Sequence, residues 1–148
     1  MALDELYQSV ILEHSKSPRN FRVMDDASCS ERGHNPLCGD EVTLYLKLDG
    51  DRISDITFQG QGCAISKSSA SILTTVVKGR TTDEALALFG QVHALLTGHP
   101  PDAEGMTALG KLAVFQGVSA YPIRVKCASM AWHTLKIALE GRGASTSR

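Results

Sequence analysis

Apolar side chains at Leu3, Leu6, Tyr7, Val10 and Ile11 repeat at three- and four-residue spacing and predict a helix over 3–14. Ser17-Pro18-Arg19-Asn20 should end it, because proline disfavours helix in the residue before it. The polar stretch 25–33, which contains Cys29, reads as loop. From Glu41 to Leu48 the pattern becomes strict alternation: Val42, Leu44, Leu46 and Leu48 point one way, Glu41, Thr43, Tyr45 and Lys47 the other. Asp49-Gly50-Asp51 reads as a hairpin turn into a return strand over 53–59, with Ile56 and Phe58 in phase. Ile53 falls out of phase, which predicts a bulge or an early strand end.

Gly60-Gln61-Gly62 should break the sheet, with a helix from about Cys63 to Gly79. Ala64, Ile65, Ser68, Ile72 and Val76, with the small Ser69, Ala70 and Ser71, predict close packing along it. Thr81-Thr82-Asp83-Glu84 matches a capping box opening a helix that uses Leu86, Leu88, Phe89, Val92, Leu95 and Leu96 and ends near Gly98. A loop over 99–105, a short helix over 107–115 and a last helix over 123–139 follow, with Gly141 ending the last one. These elements predict an α+β fold, helices on one face of a small antiparallel sheet, in a single domain over 1–141 with a frayed tail over 142–148.

The chain has 148 residues, a length suited to one domain. Fifteen Lys plus Arg against sixteen Asp plus Glu leave a net charge of -1, so phosphate-driven nucleic-acid binding is not expected. No apolar run approaches the roughly 20 residues of a membrane span. Met1-Ala2-Leu3-Asp4-Glu5 lacks the basic start and apolar stretch of a secretory signal, and a soluble cytoplasmic protein is expected.

In a reducing compartment, four scattered cysteines point to metal binding or chemistry more than to disulfides. Cys29, Cys38, Cys63 and Cys127 form no C-x-x-C pair, so the fold must assemble any shared site. Asn35-Pro36-Leu37-Cys38-Gly39-Asp40 sets Cys38 and Asp40 two apart, on one side of an extended segment, although a structural turn explains the same residues nearly as well. Cys63 follows Gly60-Gln61-Gly62 at a helix start, where the dipole and free N–H groups favour thiolate. Cys127 stands near the start of the helix after Tyr121-Pro122. Taken singly, each cysteine reads as a buried, inert thiol. Together with Asp40, Cys38, Cys63 and Cys127 supply three sulfurs and one oxygen, a full tetrahedral set for zinc.

Three segments, Asn35-Pro36-Leu37-Cys38-Gly39-Asp40, Gly60-Gln61-Gly62-Cys63-Ala64-Ile65-Ser66 and Arg124-Val125-Lys126-Cys127-Ala128, resemble the U-type iron–sulfur cluster assembly proteins, the IscU/SufU family. Leu6-Tyr7, Val10-Ile11-Leu12 and Ser17-Pro18-Arg19-Asn20 are similar to that family's N-terminal helix and its exit. The resemblance reaches to about Gly141 and implies Cys38, Asp40, Cys63 and Cys127 as metal ligands; Cys29 matches no ligand position. Lys126 stands where IscU-type scaffolds carry histidine, and the connection over 97–117 is longer. Both features resemble the SufU branch, which implies zinc as cofactor, a SufS-type cysteine desulfurase as partner, and sulfurtransferase activity relaying persulfide sulfur to downstream assembly proteins.

Within that implication Cys38 is the expected acceptor, because a glycine-flanked loop moves more cheaply than a helix start. The alternative is a scaffold on which the same ligands hold iron or a [2Fe–2S] cluster. Arg124 and Lys126 flank Cys127 and could steer a persulfide or contact the partner, though a solvated helix face is the commoner role. A deaminase-type zinc hydrolase would need H-x-E and P-C-x-x-C pairs, which are absent, and a purely structural zinc remains the plain alternative. His34 stands four before Cys38 as a minor ligand candidate. His14, His93, His99 and His133 read as surface, and Trp132 as core.

Overall fold

Alternation in the central strand organises the protein. The structure, a computed structural model, describes residues 3–36 and 39–143. Its elements run α1 (Leu3–Lys16), β1 (Cys29–Asn35), β2 (Asp40–Asp49), β3 (Arg52–Gln61), α2 (Ala64–Val77), α3 (Thr82–Leu96), α4 (Ala103–Leu109), a 3₁₀ segment (Gly110–Val118) and α5 (Pro122–Gly143). The strands form one antiparallel sheet in the order β1-β2-β3. Val42, Leu44 and Leu46 of β2 are buried, as are Ile56 and Phe58 opposite them on β3. α2 packs on β3 and α5 on β1 and β2, which gives the expected α+β arrangement with helices on one face. The pairing shifts register between Lys47 and Leu48, leaving Ser54 as the extra residue of a bulge, so Ile53 turns inward despite its odd spacing.

Residues 29–33, expected as loop, belong to β1. Cys-Ser-Glu-Arg-Gly-His-Asn carries no apolar alternation, because this strand lies at the sheet edge and pairs through its backbone. Gly33 admits α5 against it: a Cβ there would lie 2.0 Å from Thr134 Oγ1. The segment between α1 and β1 crosses the other face of the sheet. It starts beside β3, where the Phe58 N–H donates to the Asn20 carbonyl at 3.0 Å and Phe21 meets Phe58 edge-on. Arg22 then pairs with Asp55, Asp26 pairs with Lys47, and the Ser28 N–H reaches the Leu46 carbonyl. This crossing buries Met24, and Thr57 is fully buried on the same face.

α2 is the hub. Ser66, Ser68, Ser69, Ser71 and Thr74 are all buried, and their small side chains let neighbouring helices approach closely. Ser69 Oγ donates to the Ala128 carbonyl of α5, and Ser71 Oγ meets His14 Nδ1 of α1 at 2.7 Å. His14 is therefore buried, a correction to its expected surface place, and burial lowers its imidazole pKa. Trp132 is core as expected. The capping box opens α3: the Glu84 N–H donates to Thr81 Oγ1, and the Thr81 N–H donates to Glu84 Oε1.

Two helix boundaries differ from expectation. α4 starts at Ala103 rather than near Thr107, because Asp102 caps it by accepting from the Gly105 N–H at 2.8 Å, and the chain then tightens into the 3₁₀ segment. α5 runs through Gly141 to Gly143, since a glycine near a helix end costs only about 1 kcal/mol. Residues 144–148 of the expected tail lie outside the described residues.

Candidate metal centre

Three chain breaks converge at one end of the sheet. Gly39 takes a left-handed conformation (φ +71°) and its N–H donates to the Asn35 carbonyl, a tight turn that delivers Asp40 to the first position of β2. Across the sheet, β3 ends at Gln61, and Gly62 passes so close to Asp40 that a Cβ would lie 2.4 Å from its Oδ1 and 2.6 Å from Ser66 Oγ. Cys63 follows as the N-cap of α2. Cys127 lies in the second turn of α5, one residue before the carbonyl that Ser69 holds.

The ligand atoms of Asp40, Cys63 and Cys127 lie within 4.8 Å of one another. Asp40 Oδ1 accepts the Cys63 N–H at 2.9 Å, while Oδ2 stands 3.8 Å from Cys63 Sγ. The carboxylate thus spends one oxygen on the helix start and turns the other toward the sulfur. Cys63 Sγ accepts the Ser66 N–H at 3.5 Å, so the positive end of α2 faces both a carboxylate and a thiol. Asp40 and Cys127 are buried at 1% and 3% exposure, whereas Cys63 is exposed.

This donor set fits a cation. Two ligands of one tetrahedral zinc lie about 3.5–4 Å apart, close to the separation of Cys63 Sγ from Asp40 Oδ2. Thiolate with carboxylate suits zinc or ferrous iron and disfavours magnesium or calcium, which take oxygen ligands. The buried Asp40 carboxylate and the exposed Cys63 sulfur at a helix start offer such an ion one oxygen and one sulfur donor side by side.

Of the expected site residues, Asp40, Cys63 and Cys127 come together, and Cys38 lies outside the described residues. Arg124 is exposed, stacks on Tyr121 with 4.6 Å from its guanidinium carbon to the ring centroid, and lines an open depression of ≈ 420 Å³ that also takes in Cys63. Lys126 is exposed on the opening turns of α5, and His34 is exposed on β1. Cys29 starts β1, half-buried against the core.

Sequence reasoning missed two contributors. Ser66 stands three residues into the helix that Cys63 caps, the spacing of a capping residue's partner, and that spacing could have revealed it. Gln8, Ile11 and Leu12 of α1 form the far wall of the depression, and nothing in their local sequence signals it.

The chain matches the family model for the NifU-like N terminal domain over residues 6–140. It is 40% identical over 134 residues to the zinc-dependent sulfurtransferase SufU of Bacillus subtilis, covering 90% of this chain and 89% of that one. To the iron–sulfur cluster assembly scaffold protein IscU of Streptococcus pyogenes it is 38% identical, covering 93% and 85%. The crystal structure of FiSufU from Fervidobacterium islandicum, assigned as an iron–sulfur cluster assembly scaffold protein for the SUF system, superposes with a TM-score of 0.83 at 38% identity, over 91% of this chain and 97% of that one. Among the described residues no helix is long and apolar enough to cross a membrane.

Proposed function

Since the chain belongs to the NifU-like N-terminal family of iron–sulfur cluster assembly proteins, we propose that it is a sulfurtransferase that takes persulfide sulfur from a cysteine desulfurase. The observation that supports this is the meeting of Asp40, Cys63 and Cys127, with Cys63 the exposed member of the three. Asp40, Cys63 and Cys127 would hold zinc, with Cys38 as fourth ligand and sulfur acceptor. Zinc, when bound, supplies a charge that keeps the cysteines as thiolates at neutral pH.

The chain's own residues do the rest. The Cys38 thiolate attacks the outer sulfur of the desulfurase persulfide: a new S–S bond forms on Cys38, the old S–S bond breaks, and the desulfurase cysteine leaves as thiolate. Gly39 takes the left-handed conformation that sets Asp40 at the start of β2, where its carboxylate stays hydrogen-bonded to the Cys63 N–H. Arg124 lies in the depression beside Cys63 and offers a cation to an approaching persulfide anion. Leu12, Tyr121 and Ile123 are large exposed apolar side chains on α1 and at the start of α5, the kind of surface that a protein partner covers.

A second reading, a scaffold that holds iron or a [2Fe–2S] cluster, draws support from the relatives named as scaffolds. The test is turnover of a cognate cysteine desulfurase on cysteine, with and without this protein. Sulfur transfer predicts a large stimulation that disappears in Cys38→Ser, with persulfide found on Cys38 by mass spectrometry. Absence of stimulation together with visible absorbance after anaerobic iron and sulfide reconstitution would move the assignment to the scaffold. Normal acceptance by Cys38→Ser would move the acceptor role to another cysteine.

A further inference from the structure

Three aromatic rings meet on the protein's exterior where α3 packs against α5. Phe89 and His93 are four apart on α3 and stack at 15° with centroids 5.8 Å apart. His133 of α5 completes the group, its ring plane at 72° to Phe89 and 81° to His93 and its centroid 5.1 Å and 5.9 Å from theirs. Both histidines are exposed, so an ion can reach them from solvent. His133 lies six residues beyond Cys127, about 9 Å along the helix.

We propose that His93 and His133 form a second metal site, which takes a borderline first-row divalent cation such as nickel, copper or zinc through one imidazole nitrogen from each helix. The ring spacing supports this. An ion about 2.1 Å from a ring nitrogen lies about 3.2 Å from that ring's centroid, so two imidazoles sharing it have centroids about 5–6 Å apart. The observed 5.9 Å falls in that range. Phe89 holds both rings in place, so little side-chain freedom remains to be lost on binding. Two imidazole donors select nitrogen-preferring metals over magnesium and calcium.

The charged groups around the pair tune it. Partial burial, the His93 ring and the Lys136 ammonium all lower the His133 pKa, which favours the neutral, ligating form near pH 7. Lys136 lies 5.2 Å from the Phe89 centroid and repels a cation, so it sets the affinity below what the two nitrogens alone would give. An ion held here would clamp α3 to α5. This site is independent of the cysteine cluster and of any sulfur-transfer role.

The test titrates Ni²⁺ into the protein after its cysteine site has been filled with zinc, followed by calorimetry and by NMR of the imidazole side chains. The expected result is one nickel per chain, with paramagnetic broadening of the His93 and His133 rings together. His93→Gln and His133→Gln should each weaken binding at least about tenfold, because losing one ligand removes the chelate advantage. His99→Gln should leave binding unchanged, and Lys136→Gln should tighten it. Binding should also fade on acidification, because a proton on the His133 ring competes with the ion for its nitrogen, and the lowered His133 pKa places that loss on the acid side of the ordinary imidazole range. Nickel affinity left unchanged by either histidine substitution, or no binding up to millimolar nickel, would overturn the proposal.

Discussion

The two cysteine-bearing helices begin in opposite ways. α2 opens at the surface, with its capping thiol exposed and its first N–H groups turned to Asp40 and to the thiol itself. α5 opens on Pro122, and its cysteine lies a turn further in, 3% exposed against α2. Both sulfurs reach the same cluster. Residue type therefore does not separate them; access does. A thiol that must meet a partner's sulfur needs an open approach, while one that only holds an ion is best kept dry. The exposed N-cap leaves the cluster open to a partner's sulfur on its side, and the buried turn closes the cluster on the other.

The largest effect expected from this contrast is in reactivity. With metal removed by a chelator and the fold intact, iodoacetamide should modify Cys63 at least about a hundredfold faster than Cys127, because Cys127 must wait for local opening of α5. Site-resolved mass spectrometry over a time course gives both rates in one experiment. Comparable rates would mean that the start of α5 opens as readily as that of α2, and the division of roles would fail.

A smaller effect sharpens the geometry of the exposed side. Gly62→Ala would place a Cβ 2.4 Å from Asp40 Oδ1 and 2.6 Å from Ser66 Oγ, two groups that touch or flank Cys63. Relief requires moving Asp40 off the Cys63 N–H, at a cost of about 2 kcal/mol. Lower thermal stability should accompany weaker zinc binding, measured by competition with a chromophoric chelator. Loss of stability with unchanged zinc affinity would show that Asp40 can shift without disturbing the cluster.

Much of this was legible because local patterns were strong. The alternation of Val42, Leu44 and Leu46, the phase slip at Ile53 and the Thr81/Glu84 box each carry their cause within a few residues. β1 was not legible: it buries little, and only pairing with β2 makes Cys29–Asn35 a strand. His14 was misplaced for a related reason, since its partner Ser71 lies 57 residues away and no local period marks it. At the site, the cysteines and Asp40 stood out through their glycine and proline neighbours. The meeting of three distant segments, and the α1 wall of the depression, belong to tertiary packing.

The smallest effect separates helix capping as a stability device from capping as site chemistry. Thr81 caps α3 as Cys63 caps α2, through a side-chain acceptor for the N–H three residues on. No ligand atom of the cluster comes from α3. Thr81→Ala should cost about 1 kcal/mol in denaturant unfolding, while zinc affinity and Cys63 alkylation stay as in the unmodified protein. A matching change in zinc affinity would mean that loosening α3 reaches the cluster through α5, against which it packs. The two helix starts of the site would then owe their geometry to the whole helical layer rather than to Asp40, Gly62 and Ser66.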